Sequence, residues 1–371
     1  MKKIKVLHVF GKMDRGGAET LIMNIFRNID REKFQFDFLV SSNETGDYDE
    51  EIEKLGGFIH VVRVPKKICK IPHYLKDIKE IIKDEEYDVV HSHVYLFSGL
   101  ITKIAKKANV RNVISHSHTI NEMNEDTVLR KLYKKYMRNQ IKKNSDYLLS
   151  CSKEASIHLY ETIDDNRIRN IKNGIDLKRF SNIKTSRKNF LEKLGIPEGA
   201  FVIGHIGRFQ KQKNHHFLIQ VFYEIIKEKP NSYLLLLGRG DLEDEIKNQV
   251  NKLKVEENVM FLGVREDVPE IINSLDAFVF PSLYEGLGLV LIEVQSLGVP
   301  CFVSNTVPKD AEISSQLFNY LDLDVGSKEW ADKIINFDYC GKVNYFESVI
   351  KKGYSIEGTV KKLERIYSKG I

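Results

Sequence analysis

The chain has 371 residues, 42% hydrophobic and 29% charged, a balance that supports a folded core and excludes a disordered or fibrous protein. At about 150 residues per domain the length suits two domains. The net charge of +5 is uneven: residues 1–183 carry 33 Lys+Arg against 26 Asp+Glu, and residues 184–371 carry 24 against 26, which points to different surfaces for different partners.

Lys2, Lys3 and Lys5 precede a short apolar stretch that contains His8 and ends at Lys12 and Asp14. It is too short for a leader and reads as a first buried strand. Short apolar runs then alternate with helical patterns. Strands are expected at Ile4–Phe10, Phe34–Val40, Phe58–Val64, Asp88–His93, Asn112–His118 and Tyr147–Cys151. Helices are expected at Ala18–Ile29, Pro72–Glu85, Ser98–Ala108 and about 127–143. The pattern restarts with strands at Phe201–Gly207, Ser232–Leu237, Val259–Gly263, Ala277–Pro281 and Cys301–Ser304, with helices such as Asn214–Lys229 and Leu242–Leu253 between them. Two such series predict two doubly wound parallel sheets, joined near 175–200. Cys69, Cys151, Cys301 and Cys340 are scattered with no CxxC pair, which argues against a zinc site or a disulfide framework and suits a cytoplasmic protein. No run of about 18 apolar residues is present to span a bilayer.

Ligands of such sheets bind beyond the carboxyl ends of the strands. Four strand-to-helix loops therefore matter. Gly11 to Glu19 carries Gly16 and Gly17 just before a helix, where free N–H groups suit an anion; a tight turn that needs glycine explains them equally well. The absence of GxGxxG weakens a dinucleotide reading. The second is Ile114 to Thr119, with His116 and His118, placed like His91 and His93 one strand earlier. These imidazoles can serve a hydroxylated ligand or be a solvated strand end. Two histidines at i and i+2 with no acidic cluster nearby in sequence argue against a metal. Gly207, Arg208 and Lys213 follow the first strand of the second series, where a guanidinium and an ammonium suit phosphate; the alternative is a solvated basic loop. The fourth runs from Pro281 through Glu285, Gly286, Leu287 and Gly288 to Glu293. Its carboxylates can accept from vicinal hydroxyls, and its glycine N–H groups can reach phosphate or hydroxyl oxygens. Glu293, within the apolar stretch Leu287–Val294, is expensive to bury without a role.

Taken in order, these loops resemble those of the retaining glycosyltransferases of family 4. GGAE at 16–19, Asn173-Gly174-Ile175-Asp176 with Phe180, Gly207-Arg208 with Lys213, and Gly238-Arg239-Gly240 are similar to that family's motifs. The most specific is Glu285 and Glu293 in an E-x7-E arrangement before Gly298-Val299-Pro300. Lys213-Asn214 and Glu293-Val294 depart mildly from the usual Lys-Gly and Glu-Ala. The resemblance is strongest to bacterial capsular and exopolysaccharide transferases. It implies the α/β GT-B fold, two Rossmann-like doubly wound domains facing across a cleft. Residues 1–178 would form the acceptor-side domain, 179–354 the donor domain, and a helix at about 355–371 would return to the first.

The implied substrate is a nucleotide-diphosphate sugar, expected to be UDP-linked, with a saccharide acceptor that is often lipid-linked. Arg208 and Lys213 would hold the diphosphate, with no metal or other cofactor expected. Glu285 would contact donor-sugar hydroxyls and Glu293 the ribose. Gly16, Gly17, Gly238, Gly286, Leu287 and Gly288 would line the donor site. His118, with His116 as runner-up, would sit at the donor sugar. A sugar-nucleotide epimerase and a non-catalytic nucleotide-sugar-binding protein are the alternatives. Residues 127–143 hold seven basic residues and no acid, with Val128, Leu132 and Tyr136 at helical spacing. They suit either an anionic membrane surface, hence a peripheral location, or a helix whose apolar stripe packs on the sheet. No nucleic-acid-binding pattern is present.

Overall fold

The computed structural model describes residues 2–65, 70–118, 127–338 and 341–369. Thr119, Cys69 and Cys340 lie outside them. The chain forms two units: residues 1–174 with 355–371, and residues 175–354. The first break falls at Gly174/Ile175 rather than at 178. Ile175 N–H donates to the Tyr354 carbonyl, and Ile175 and Leu177 share a core with Tyr354, so these residues belong to the second unit.

Unit 1 contains β1 (Ile4–Phe10), α1 (Gly17–Asn28), β2 (Phe34–Val40), α2 (Asp49–Lys54), β3 (Ile59–Val61), α3 (Ile71–Asp84) and β4 (Val89–Ser92). It continues with α4 (Ser98–Lys107), β5 (Asn112–Ser117), α5 (Val128–Asn144), β6 (Tyr147–Ser150), α6 (Lys153–Tyr160) and β7 (Ile168–Asn170). Unit 2 contains α7 (Leu177–Ser181), α8 (Arg187–Lys193), β8 (Phe201–Ile206), α9 (His215–Glu228), β9 (Ser232–Leu237), α10 (Glu243–Leu253), β10 (Val259–Gly263) and α11 (Val268–Ser274). It ends with β11 (Ala277–Phe280), α12 (Leu289–Ser296), β12 (Cys301–Ser304), β13 (Phe318–Leu321), α13 (Gly326–Ile335) and α14 (Phe346–Lys351). The last helix, α15 (Ile356–Tyr367), is part of unit 1.

Among the described residues the strand order is β3-β2-β1-β4-β5-β6-β7 in one sheet and β10-β9-β8-β11-β12-β13 in the other. All pairs are parallel. Helices cover both faces, so the central strands are buried on both sides; β9 and β11 are mainly apolar, whereas β4 and β5 also bury Ser and His. The order reverses between β1 and β4 and between β8 and β11, and these are the switch points where ligands of such sheets bind. The expected strand over Phe58–Val64 shrinks to three residues because it is a sheet edge with Phe58 exposed. The short β7 and β13 have no apolar run long enough to announce them.

Helix α15 is capped by Ser355, whose side chain accepts from Gly358 N–H. Ile356, Val360, Leu363 and Tyr367 lie on one face, buried in the same core as Leu21, Ile25 and Phe26 of α1. Gly174 faces this helix; a Cβ there would sit 2.7 Å from the Ile356 Cα. Elsewhere α4 and α5 cross so closely that a Cβ on Gly99 would lie 2.6 Å from the Met137 carbonyl oxygen. That approach seats the carboxyl-terminal half of α5, through Met137 and Ile141. Gly99→Ala should therefore push the helices apart and cost about 1–3 kcal/mol, the scale of overpacking, read as a lower urea midpoint for unit 1.

Candidate active site

At the unit 2 switch point the loop after β8 is held from both sides. Gly207 N–H donates to the Leu237 carbonyl, and Phe209 N–H donates to the Arg239 carbonyl. The buried Phe209 ring stacks on His215, with 4.3 Å between centroids. This anchor leaves Arg208 on the exposed side of the loop. The approach of the β9 end requires glycine at 238: its φ is +135°, and a Cβ would meet the Gly207 carbonyl oxygen at 2.1 Å. A single 3-10 turn over Lys211–Lys213 follows, and α9 is entered through Asn214 at φ 54°, ψ 44°. Asparagine tolerates this left-handed region better than most side chains. Asn214 thus takes a conformation that is also open to glycine.

The loop after β11 is zipped onto this one. Leu283 N–H donates to the Gln212 carbonyl at 2.8 Å, and Gln212 Nε2 donates to the Tyr284 carbonyl at 2.9 Å. Lys213 Nζ lies 2.5 Å from Glu285 Oε1 and 4.4 Å from the centroid of the Phe280 ring. The side chains are only 16% and 6% exposed. Burying two charges costs several kcal/mol per ion before their attraction is counted, so such a pair is weak evidence for stability. A buried pair at a switch point is instead a functional-site candidate. Glu285 takes one of the three N–H donors of Lys213.

Gly288, at φ +74°, begins α12, and Leu287 packs into the core beside it. Gly286 differs: no atom lies within 4 Å of a Cβ placed there, and its φ is not in the left-handed region. Nothing in the protein itself requires glycine at that point. Glu293 projects from α12 within the same unit. Burial pushes its carboxyl up from 4.5 to about 7, and the charge of Arg179 pulls the other way.

At the unit 1 switch point Gly16 precedes α1 in extended geometry, and Gly17 opens the helix. A Cβ on Gly17 would meet nothing within 4 Å; on Gly16 it would meet the Glu19 carboxylate, the flexible end of a side chain. The histidines are not isolated strand ends. The register pairs His8 with His91 and sets His93 beside His116, so adjacent strands bring together five imidazoles. His8 Nδ1 is 3.2 Å from His93 Nε2, His93 Nδ1 is 2.9 Å from His118 Nε2, and His91 Nε2 is 3.2 Å from His116 Nδ1. His91 Nδ1 is 2.8 Å from the Tyr367 hydroxyl on α15. Burial lowers all five, His8 and His118 to about 3, so the rings are neutral at pH 7. His116 is fully buried, whereas His118 is half-buried.

The sequence shows these histidines as pairs at strand ends and does not single out His8. Nor does it mark His205 and His215, buried under the Arg208 loop with ring centroids 4.7 Å apart. For His8 and His205 the signal is a polar residue inside an apolar strand; His215 opens α9 and carries no such signal. On unit 2, Gly207, Arg208, Lys213, Gly238, Glu285, Gly286 and Gly288 lie on loops joined to one another; on unit 1, Gly16 and Gly17 follow β1, and His116 and His118 lie at the end of β5.

Helix α5 divides in two. Met137 and Ile141 are buried, but Val128, Leu129 and Leu132 are 75%, 80% and 60% exposed, and Tyr133 and Tyr136 are also exposed. The expectation of an apolar stripe packed on the sheet thus holds only for the second half. No helix among the described residues is long and apolar enough to cross a membrane.

Residues 15–179 match Glycosyltransferase Family 4, and residues 186–338 match Glycosyl transferases group 1. The chain is 31% identical to EpsF of Bacillus subtilis (strain 168), a glycosyltransferase by name, over 98% of this chain and 96% of that protein. It is 30% identical to the capsular polysaccharide biosynthesis glycosyltransferase CapH of Staphylococcus aureus, over 98% of each. It is 29% identical to the UDP-Gal:alpha-D-GlcNAc-diphosphoundecaprenol alpha-1,3-galactosyltransferase of Escherichia coli, over 86% of this chain and 84% of that one. Among solved structures, Anabaena Alr3699/HepE in complex with UDP and glucose superposes with a TM-score of 0.78 at 19% identity, over 98% of this chain and 99% of that one. The two parallel α/β sheets are those of the GT-B fold, and with these matches over nearly its whole length the chain belongs to the family 4 glycosyltransferases.

Proposed function

We propose that the chain is a retaining transferase that moves a sugar from a nucleoside-diphosphate sugar, UDP-linked in this reading, to a saccharide acceptor during capsule or exopolysaccharide assembly. The observation that carries it is the placement of Arg208 and the buried Lys213–Glu285 pair at the unit 2 switch point. As the bond from the sugar to the diphosphate breaks, negative charge grows on the diphosphate. A fixed guanidinium and ammonium stabilise that charge more than the ground state, which is how an electrostatic site accelerates a step. In this reading they do the work of a metal at the diphosphate.

Glu285, already holding Lys213, accepts from sugar hydroxyls, and Glu293 accepts from the ribose. The open space over Gly286 and Gly17 lets backbone N–H groups approach the ligand closely. Gly16, Gly238, Leu287 and Gly288 shape the same surfaces, and His118 serves the donor sugar, with His116 behind it. The UDP and glucose held by Alr3699/HepE support this donor class. Loss of either cation should lower kcat by about 100–1,000-fold, the cost of one electrostatic donor. Arg208→Ala and Lys213→Ala are measured by nucleoside diphosphate release from a panel of nucleotide sugars; near-wild-type turnover in both removes the assignment. With donor alone, sugar isomerisation in place of release would favour an epimerase, and binding without release under any acceptor a non-catalytic protein.

Glu293 supplies a pH test. Its folded pKa of about 7 lies above the unfolded value near 4.5. Between these values the folded state binds more protons, so folding stability declines as pH rises through the window. Glu293→Gln should flatten that decline in urea titrations while weakening nucleotide binding. An unchanged pH slope contradicts the raised carboxyl pKa, and unchanged nucleotide affinity contradicts the ribose role.

The E. coli relative acts on a diphosphoundecaprenol-linked sugar by its name, which supports a lipid-linked acceptor here. The exposed apolar half of α5, which carries Arg130, Lys131, Lys134 and Lys135, fits an anionic membrane surface, at about 1 kcal/mol per nearby cation. Co-sedimentation with anionic but not neutral vesicles is expected, and should weaken when Leu129 and Leu132 are changed to Ser. No binding at low salt would refute a peripheral location.

A further inference from the structure

We propose that His93, His116 and His118 bind one late first-row divalent metal ion, such as Zn2+, Ni2+ or Co2+, at the carboxyl edge of the unit 1 sheet. One ring nitrogen from each lies within 4.8 Å of the others. In a tetrahedral site with Zn–N bonds of about 2.0–2.1 Å, ligand nitrogens sit about 3.3 Å apart, so small ring rotations close the set. Three imidazoles without a carboxylate select borderline metals over Mg2+ or Ca2+, which prefer oxygen. They leave a fourth position for water or a hydroxylated ligand.

The outer contacts give this assignment its force. A ligating histidine almost always donates its other ring N–H to a second group. Let the ligands be His93 Nδ1, His118 Nε2 and His116 Nε2. His93 Nε2–H then donates to His8 Nδ1, and His116 Nδ1–H donates to His91 Nε2. His91 Nδ1–H in turn donates to the Tyr367 hydroxyl. Every ring is neutral, and no proton has to leave the protein. The proton between His93 and His118 shifts to His118 Nδ1, which has no partner among the described residues, so two of the three ligands have an outer acceptor. His116 Nε2 is buried with no hydrogen-bond partner among the described residues. Such an orphan ordinarily costs about 1–3 kcal/mol, and a metal would use it. His93 and His118 are only half-buried, which leaves a path for the ion.

The site does not depend on the transfer reaction, although it shares His118 with the sugar role above. A metal bound there withdraws the His118 ring, so occupancy and sugar contact compete. The test uses the full chain, freed of metal by a chelator, with no nucleotide sugar present. Titration with Co2+ should give one equivalent and the visible absorption of a tetrahedral site, displaced by Zn2+ and untouched by Mg2+. His118→Ala should weaken binding at least about 100-fold, and His8→Phe, which removes an outer partner, about 10–100-fold. His216→Ala in unit 2 should change nothing. Zn2+ should raise the melting temperature of the wild type but not of His118→Ala. Absence of the tetrahedral spectrum, or unchanged affinity in a His118→Ala variant whose circular dichroism is native, overturns the proposal. Loss of sugar transfer in that variant bears only on the sugar role, because binding is read without donor.

Discussion

In a sheet whose strands all run one way, every strand-to-helix loop leaves from the same edge. Both sheets of this protein obey that constraint, and it decides where chemistry can gather. The opposite edge receives only returning chain. At the carboxyl edge the reversal of strand order parts two neighbouring loops and makes room for a ligand. In unit 2 those loops carry Arg208, Lys213 and Glu285. In unit 1 the loop after β1 carries Gly16 and Gly17, and histidines stand at the ends of β4 and β5.

The two edges solve the problem of buried polarity differently. Unit 2 keeps formal charges and pairs them: Lys213 is held by Glu285 and by the face of Phe280. A pair of this kind has little net value to folding. Unit 1 places five imidazoles in each other's company and strips them of charge by burial. Neutral rings can be packed like aromatics, as the 4.2 Å stack of Phe10 on His93 shows. They still keep lone pairs and N–H groups available.

The alternation of apolar runs and helical patterns made most strands legible, because buried parallel strands are predominantly apolar. The charged loop residues were legible too, since each follows a strand end by a few positions. What the sequence concealed depends on partners far along the chain. Five histidines between positions 8 and 118 meet only through the register of β1, β4 and β5. Arg179 acts on Glu293 across more than a hundred residues. Helical spacing along α5 reveals a stripe but not how far its neighbour α4 reaches, so the exposed first half could not be separated from the packed second half. The edge strands β3 and β7 were blurred because half-exposed strands lose the apolar signal.

The return of α15 to unit 1 has a consequence for how the protein is made. Unit 2 is a continuous stretch and holds all its residues once Tyr354 has been synthesised. Unit 1 begins earlier but waits longer: the core around Phe26 and Phe36 lacks Leu363 and Tyr367, and the Asn112 amide lacks the Ile366 carbonyl, until α15 emerges. During synthesis the order of completion is therefore reversed relative to the order of translation. The last turns of helix act as a latch on the unit that was begun first.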